Sequence, residues 1–272
     1  MPLLHEPVSD PVALALRIRL RAVRMVAPHG FGYLGQALSS AEEVAAIFAT
    51  ARPGIDRLVV SPGHYIISVL AAAGELGLLG EEALASYGRD GSPIEAIGTE
   101  RSPVVDHTCG SLGQGLSAAA GFAWADRRAG SSARTFVMVS DGEMEEGQVW
   151  EAAMFAAHHR LSRLVVLLDA NNSQVDGPVD SITTIEPIAA KWSAFGWQVA
   201  DVDGHDQGAL AEAIAAADAE RARPSVIVCR TSAVHGIDAL PPDADGHFIK
   251  LPPELVAAAV EELGHRLAGP DA

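Results

Sequence analysis

The chain has 272 residues, 49% of them hydrophobic, and a formal net charge of −16 at pH 7. Such an acidic protein does not suit nucleic acid, no uncharged apolar run is long enough to span a membrane, and the first residues lack the pattern of a signal peptide. Only two cysteines occur, so we expect a reducing, cytoplasmic location and no disulfide framework.

Helical and strand patterns alternate along the chain, which predicts one α/β domain whose parallel sheet has helices on both faces. We expect residues 1–11 to form a loose arm and residues 12–272 to form this single domain. Strands are predicted at 57–61, 136–139, 164–168, 198–202 and 224–229. Helices are predicted at 12–26, 65–75, 81–87, 149–157, 185–195, 207–217 and 253–267. The segment 107–115 opens a further helix that runs to about residue 129.

Two helices are predicted near the start of the chain, and the arginines of the first are expected at the surface. The arginines of the helix at 12–26 suit snorkelling or pairing there. A glycine-rich loop at 28–39 precedes a second helix that Ser40 or a neighbour is suited to cap. Glu42 and Glu43 then fall in its first turn, where acidic groups interact favourably with the helix dipole.

Polar residues follow two apolar strands of the predicted sheet. Asp141 comes after the strand at 136–139, and Asn171 follows the strand at 164–168. Because open α/β sheets place ligands at the carboxyl ends of their strands, we expect both residues at one binding edge. With the Ser173 carbonyl they offer three oxygens, which suit Mg²⁺ when phosphate oxygens and water complete its shell. The pattern predicts a metal-bridged diphosphate.

Two features bear on this interpretation. Gly142 lets the backbone bend close to a ligand and presents its N–H at a helix start, which favours an anion. Taken singly, however, an Asp-Gly pair is usually a turn and an Asn-Asn pair is often a loop. The joint placement of Asp141 and Asn171 at neighbouring strand ends favours the binding site.

These residues resemble the thiamine-diphosphate enzymes of the transketolase group, whose signature is Gly-Asp-Gly followed about thirty residues later by Asn. Here Ser140 replaces the first glycine, before Asp141 and Gly142. Residues 146–154 match a run, Glu-Gly-Gln-Val-Trp-Glu-Ala-Ala-Met, of transketolases made as two separate chains. The resemblance extends from about residue 16 to residue 235 and implies the diphosphate-type thiamine-diphosphate-binding fold, with thiamine diphosphate and Mg²⁺ as cofactors.

The resemblance also implies roles for further residues. His64 matches a histidine near the diphosphate and the reacting end of the donor. Gly110 and Leu112 lie in Gly-Ser-Leu-Gly-Gln-Gly, a segment that in the family runs along the thiazolium and the diphosphate. His235 matches a histidine of a His-Gly pair that approaches the diphosphate. His64 and His235 are therefore both cofactor-binding and catalytic candidates, although a lone histidine at a turn is more often a surface residue.

Three acids follow the metal turn: Glu143, Glu145 and Glu146. Acids at a helix start are ordinarily explained by the helix dipole and solvent, so we expect Glu143 and Glu145 at the surface. Glu143 is also a cofactor-binding candidate. Glu146 matches a transketolase glutamate at the subunit interface that is thought to join two active sites by a proton path, and it is a catalytic candidate.

The sequence departs from the family at two sugar-contacting histidines. Tyr33 stands at one of these positions, with His29 four residues earlier, and Ile97 or Gly98 stands at the other. A standard sugar-phosphate donor would miss these directed contacts. His107 has no counterpart in the family and is a candidate for reaching the substrate.

The family activates its cofactor with a glutamate of a second domain, for which this chain has no room. The resemblance therefore implies a two-chain enzyme whose partner is a C-terminal, pyrimidine-binding subunit, as a heterotetramer of two of each. The leading function is transfer of a two-carbon ketol unit from a ketose-like donor to a small-molecule or carrier-bound acceptor. One alternative is a decarboxylating 2-oxoacid component that passes an acyl or glycolyl unit to a lipoyl or carrier-protein arm. The other is a non-catalytic partner subunit.

Overall fold

A six-stranded parallel sheet forms the centre of the structure, a computed structural model that describes residues 8–241 and 244–269. The strands are β1 Phe31–Gly32, β2 Arg57–Pro62, β3 His107–Cys109, β4 Thr135–Ser140, β5 Leu164–Ala170, β6 Gln198–Asp203, β7 Ser225–Arg230 and β8 Ile249–Lys250. Their order in the main sheet is β3-β2-β4-β5-β7-β6, while β1 and β8 form a separate antiparallel pair.

Helices cover both faces of this sheet, which confirms the predicted fold class. They are α1 Pro11–Val26, α2 Leu34–Ser39, α3 Ala41–Thr50, α4 Ile66–Glu75, α5 Glu81–Leu84, α6 Gln114–Arg128, α7 Gly147–His158, α8 Val179–Ile182, α9 Ile188–Ala194, α10 Gln207–Ala219 and α11 Pro253–Ala268. One core cluster contains buried residues of α1, α3, α4 and α10, and the other contains those of α6, α7 and α9. In the part of the chain that the structure describes, no helix is long and apolar enough to cross a membrane.

The apolar runs of the central strands are explained by burial on both faces. Along β4, Phe136 and Met138 belong to one core cluster, whereas Val137 and Val139 belong to the other. All four side chains are at most 1% exposed. Such a strand has no polar face, so its sequence is continuously hydrophobic.

Some elements differ from the sequence-based expectation. The helix predicted at 185–195 is shorter, because Pro187 occupies the cap before α9 and cannot supply an N–H to a preceding turn. The two-residue strands β1 and β8 and the three-residue β3 were not predicted, since such short pairings leave little periodicity. Residues 1–7 of the predicted arm, and 242–243 and 270–272 of the predicted domain, lie outside the described residues.

Arg19, which was expected at the surface, is buried instead, together with two acids of the first turn of α3. Arg19 is 1% exposed, Glu42 6% and Glu43 0%. Both Glu42 oxygens accept hydrogen bonds from Arg19, at 2.6 and 2.5 Å. Ser40 occupies the cap position of α3, but its hydroxyl donates to the Gln36 carbonyl at 2.5 Å. Helices α1 and α10 pack against α3, so the side chains at its start face the interior.

The buried ion pair makes a prediction for stability. Burial raises the pKa of Glu42, but hydrogen bonds from His205 and Arg19 outweigh burial and hold it at about 2. Glu42→Gln should lower the free energy of unfolding at pH 7 by about 3 kcal/mol, because Arg19 is left without its carboxylate. Urea unfolding measures this change, with Glu81→Gln, at an exposed partner of Arg21, as the control that changes little.

The same pair fixes a pH dependence. The pKa of Glu42 is lower in the folded chain than the ordinary value of about 4.3, so its contribution is complete above that value and is lost as pH falls towards 2. Wild-type stability should therefore fall more steeply over this range than that of Glu42→Gln. Parallel stability curves would contradict the assignment.

Candidate functional site

Asp141 and Asn171 meet at the carboxyl edge of the sheet. Strands β4 and β5 pair with Ser140 opposite Asp169, so the turns that follow them are neighbours. The Asp141 carboxylate accepts hydrogen bonds from the N–H of Gly142 at 2.8 Å and of Asn172 at 2.6 Å. The Asn171 Oδ1 atom accepts one from the Ser173 N–H at 2.9 Å. One loop, starting at Asn171, thus holds an oxygen of each candidate ligand.

The Asp141 carboxyl is 3% exposed and lies close to a second buried acid. Burial, and then the charge of Asp169, raises the pKa of Asp141 to about 7. A buried carboxyl in this position is stabilised by a nearby cation, which replaces the solvation lost on burial. The donor set, a carboxylate oxygen beside an amide oxygen, fits a hard divalent ion.

Asp169 anchors a buried network directly behind these ligands. Its Oδ2 atom accepts hydrogen bonds from the hydroxyls of Ser39 at 2.5 Å and Tyr65 at 2.8 Å, and from Asn171 Nδ2 at 2.9 Å. Its Oδ1 atom accepts a hydrogen bond from the Thr231 hydroxyl. The network therefore links α2 and the loops after β2, β5 and β7.

A cavity of about 520 Å³ opens beside this network. Ser173, the third predicted metal ligand, lies in its wall together with Asn171. The opposite walls come from 232–234 after β7 and from 244–246 before β8. The loop that carries two of the predicted ligands therefore borders a space large enough for a small molecule.

His64 lies in a turn after β2 and is packed among aromatic rings. Its ring centroid is 5.3 Å from that of Tyr33 and 4.9 Å from that of His247. Burial, and then the neighbouring His247, lowers the pKa of His64 to about 3. His64 is therefore a neutral imidazole near pH 7, with one donor and one acceptor nitrogen.

His247 is a site residue that the sequence interpretation missed. The segment before β8 brings it to Tyr33 and His64, and its Nδ1 lies 3.2 Å from Gln36 Nε2. A Cβ atom on Gly35 would lie 1.7 Å from the Gly246 carbonyl oxygen, so the two backbones touch. The Gly-His pair at 246–247 could have indicated this histidine, but the His-Gly pair at 235–236 was interpreted as the matching motif instead.

His235 lies in different surroundings. Its ring stacks on that of His205, with centroids 3.5 Å apart, and both imidazoles lie within 4.8 Å of a Glu42 oxygen. Burial, and then His205, lowers the pKa of His235 to about 4. Arg19 already donates to both Glu42 oxygens, so a cation bound in this cluster would lie close to a positive charge. The catalytic role of His235 stays a prediction.

Glu143 was expected at the surface but is fully buried. Its Oε1 atom accepts hydrogen bonds from the Ser61 hydroxyl and the Gly113 N–H, both at 2.6 Å. Burial raises its pKa to about 7. Glu143 thus joins the end of β2 to the start of α6. Glu146 is exposed, and its Cβ would lie 3.1 Å from a Cβ placed on Gly113.

The predicted cofactor residues before α6 lie near the turn that carries His64. Gly110 is exposed and Leu112 is half-buried. A Cβ on Gly110 would lie 3.3 Å from Ile97. Ile97 is one of the two candidates for the position of a sugar-contacting histidine of the family, so an apolar side chain lies in this region instead. Gly98 donates its N–H to the Gly63 carbonyl at 2.8 Å and holds this segment against the turn.

An open parallel sheet with polar and glycine-rich turns gathered at its carboxyl edge places the chain in the class of α/β proteins that bind ligands at that edge. Over residues 12–268 the chain matches the transketolase thiamine diphosphate binding domain, and it belongs to the transketolase family.

Two relatives of nearly the same length as this chain, and one longer solved chain, support this assignment. An uncharacterized transketolase family protein of Sinorhizobium fredii is 38% identical, with 90% of this chain and 92% of the relative covered. The 6-deoxy-6-sulfo-D-fructose transketolase subunit of a Clostridium species is 36% identical, with 90% and 93% covered. The transketolase structure of Leishmania mexicana is 26% identical with a TM-score of 0.82, and it covers 95% of this chain. This chain spans 42% of that solved chain.

The neutral state of His64 makes a prediction for stability. Because its folded pKa lies below the ordinary value of about 6.5, stability from this group is complete above that value and is lost as pH falls towards 3. Between pH 7 and pH 5 the wild type should lose about 2 kcal/mol more than His64→Gln. Denaturant unfolding at both pH values measures this, with His158→Gln, at an exposed helix end, as the control. Equal losses in wild type and His64→Gln would refute it.

Proposed function

We propose that this chain is the diphosphate- and Mg²⁺-binding subunit of a transketolase-like enzyme that transfers a two-carbon ketol unit from a ketose-like donor to an acceptor. The observation that carries the proposal is the pair of ligands, Asp141 and Asn171, whose oxygens are held by N–H groups of one loop at adjacent strand ends. Family membership supports thiamine diphosphate as the cofactor.

The residues at this edge fit the metal and the cofactor. Asp141, Asn171 and Ser173 would hold Mg²⁺, and Gly142, at the start of a helical turn, supports a bound diphosphate. A Cβ on Gly142 would lie 2.9 Å from the side-chain oxygen of Gln174, so Gln174 would have to shift to admit a larger residue. When bound, thiamine diphosphate supplies the nucleophilic carbon that carries the ketol unit.

The other residues of the site position the substrate. His64 is a neutral imidazole, and burial lowers the pKa of His247 as well, so both favour hydrogen bonds to uncharged hydroxyl or carbonyl oxygens. Gly110 and Leu112 contribute the glycine-rich segment beside the same turn. The rings of Tyr33, His64 and His247 pack against one another, and hydrogen bonds made beside such partly buried rings are stronger than in water.

A second chain would complete the enzyme. The Clostridium relative is named as a transketolase subunit and has nearly the same span as this chain. We infer a C-terminal, pyrimidine-binding partner in a heterotetramer of two of each, with two-fold symmetry. Glu146 is exposed next to the start of α6, a position suited to contact with that partner. The free thiols Cys109 and Cys229 suit the cytoplasmic location that we propose.

Removal of the carboxylate tests the metal site. Asp141→Ala should weaken binding of thiamine diphosphate with Mg²⁺ by at least about 100-fold and abolish ketol transfer, because the ion loses its charged ligand. Titration calorimetry on the chain assembled with its partner measures binding. Glu145→Ala, at an exposed acid of the same turn, is the control and should behave as wild type. Full activity of Asp141→Ala would favour the non-catalytic alternative.

A second candidate function keeps the cofactor but changes the donor. Tyr33 stands beside His64, and Ile97 lies against Gly110, so the two positions that lack histidines offer a phenol and an apolar side chain. A 2-oxoacid donor that is decarboxylated, with transfer to a lipoyl or carrier-protein arm, does not need the missing imidazoles. This alternative is favoured if hydroxypyruvate or pyruvate is used and xylulose phosphate is not.

Tyr33 provides a direct test of donor preference. Tyr33→His should raise kcat/KM for xylulose phosphate relative to hydroxypyruvate by about tenfold, which is the effect of one added hydrogen bond. Tyr33→Phe keeps a ring of similar size without an imidazole and should leave the ratio unchanged. Steady-state kinetics with both donors measure the ratio. An equal rise in both variants would show that loss of the phenol hydroxyl, not a hydrogen bond from the new imidazole, sets the preference.

A further inference from the structure

Asp169 is a fully buried carboxylate that does not face the cavity, yet it contacts several site elements. Its Oδ2 atom accepts the hydroxyls of Ser39 and Tyr65 and the side-chain amide of Asn171. Its backbone carbonyl accepts the Asp141 N–H at 3.0 Å. Two of the three predicted metal ligands, Asn171 and Asp141, are therefore bonded to this one residue, one through its side chain and one through its backbone.

The direction of these hydrogen bonds determines how the Asn171 amide is turned. Each hydroxyl has a single hydrogen, and the short contacts of Ser39 and Tyr65 to a charged acceptor take it. The longer contact from the Ser39 hydroxyl to the Gln36 carbonyl, at 3.3 Å, is the weaker alternative. Both hydroxyl oxygens then have lone pairs left for Asn171 Nδ2, at 3.2 and 3.0 Å.

Three acceptors therefore surround Asn171 Nδ2, and the opposite atom, Oδ1, lies towards the Ser173 N–H. A flipped amide would place Asn171 Oδ1 against the Asp169 carboxylate. Two hydrogen-bond acceptors would then face each other with no hydrogen between them. The flip would also offer an N–H₂ group to the ligand edge, where a cation needs an oxygen. The network thus selects the amide orientation that suits a cation.

We propose that Asp169 is a positioning residue that, with Tyr65 and Ser39, holds the Asn171 amide with its oxygen towards the divalent ion and so sets the affinity for that ion. This inference rests on the proposed function, because it assumes that Asn171 binds the ion. Residues that orient metal ligands in this way typically change metal affinity by 10- to 100-fold when they are removed.

The two oxygens of Asp169 provide a matched pair of variants. Tyr65→Phe removes a hydroxyl that donates to Oδ2 and also accepts from Asn171 Nδ2. Thr231→Val removes a hydroxyl that donates to Oδ1, and the hydrogen bond of that hydroxyl does not involve Asn171. Each variant deletes one hydrogen bond to the same carboxylate and keeps a side chain of similar shape.

The experiment measures Mg²⁺–thiamine diphosphate binding by calorimetry, and thermal unfolding, for the full chain assembled with its partner subunit. Tyr65→Phe should weaken binding about tenfold, and Ser39→Ala combined with Tyr65→Phe about 100-fold, whereas Thr231→Val should stay within about twofold of wild type. Tyr65→Phe and Thr231→Val should lower the unfolding temperature to a similar extent.

Two results would overturn the inference in different ways. If wild type binds the metal–cofactor complex but Tyr65→Phe and Thr231→Val weaken it equally, or neither weakens it, Asp169 is a structural anchor only. If Asp141→Ala also binds as wild type, the proposed metal site itself is wrong. The first result leaves the proposed function standing, and the second does not.

Discussion

The parallel pairing of β4 with β5 is the constraint on which the site depends. Its register places Ser140 opposite Asp169, so that the first residues beyond each strand meet at one edge. Strand β5 also contributes Asp169, which pairs with Ser140 of β4 on one side and with Cys229 of β7 on the other. A slip of one residue would turn this carboxylate from one face to the other, because side chains alternate along a strand. The two ligands and the anchor behind them are thus set by one register.

Packing at the starts of the helices explains why glycines recur in the motifs. A Cβ on Gly115 would lie 2.4 Å from the Cα of Ser61, so α6 begins in direct contact with the end of β2. A Cβ on Gly63 would likewise lie 2.4 Å from the Cys109 carbonyl oxygen. These contacts bring the turn after β2 and the segment before α6 together. The Gly-rich pattern therefore reflects close backbone contacts as well as space for a ligand.

The sequence was sufficient for those features that depend on local pattern. The apolar runs of β4 and β5 predicted the sheet, and their polar ends predicted that Asp141 and Asn171 follow neighbouring strand ends. Burial of Glu42 and Glu143 could not be predicted, because their partners are distant in sequence: Arg19 for the first, Ser61 for the second. An acid at a helix start has the same local sequence whether it faces solvent or a buried arginine.

His247 shows the same limit over the longest distance. Its partner Gln36 lies 211 positions earlier, and their meeting depends on the contact between Gly35 and Gly246. Chain growth on the ribosome runs from the N-terminus. All strands of the main sheet are therefore synthesised before this imidazole emerges. A nascent chain that has already formed its sheet still lacks residues 244–246, which line the cavity, so productive ligand capture must wait until this segment has been synthesised.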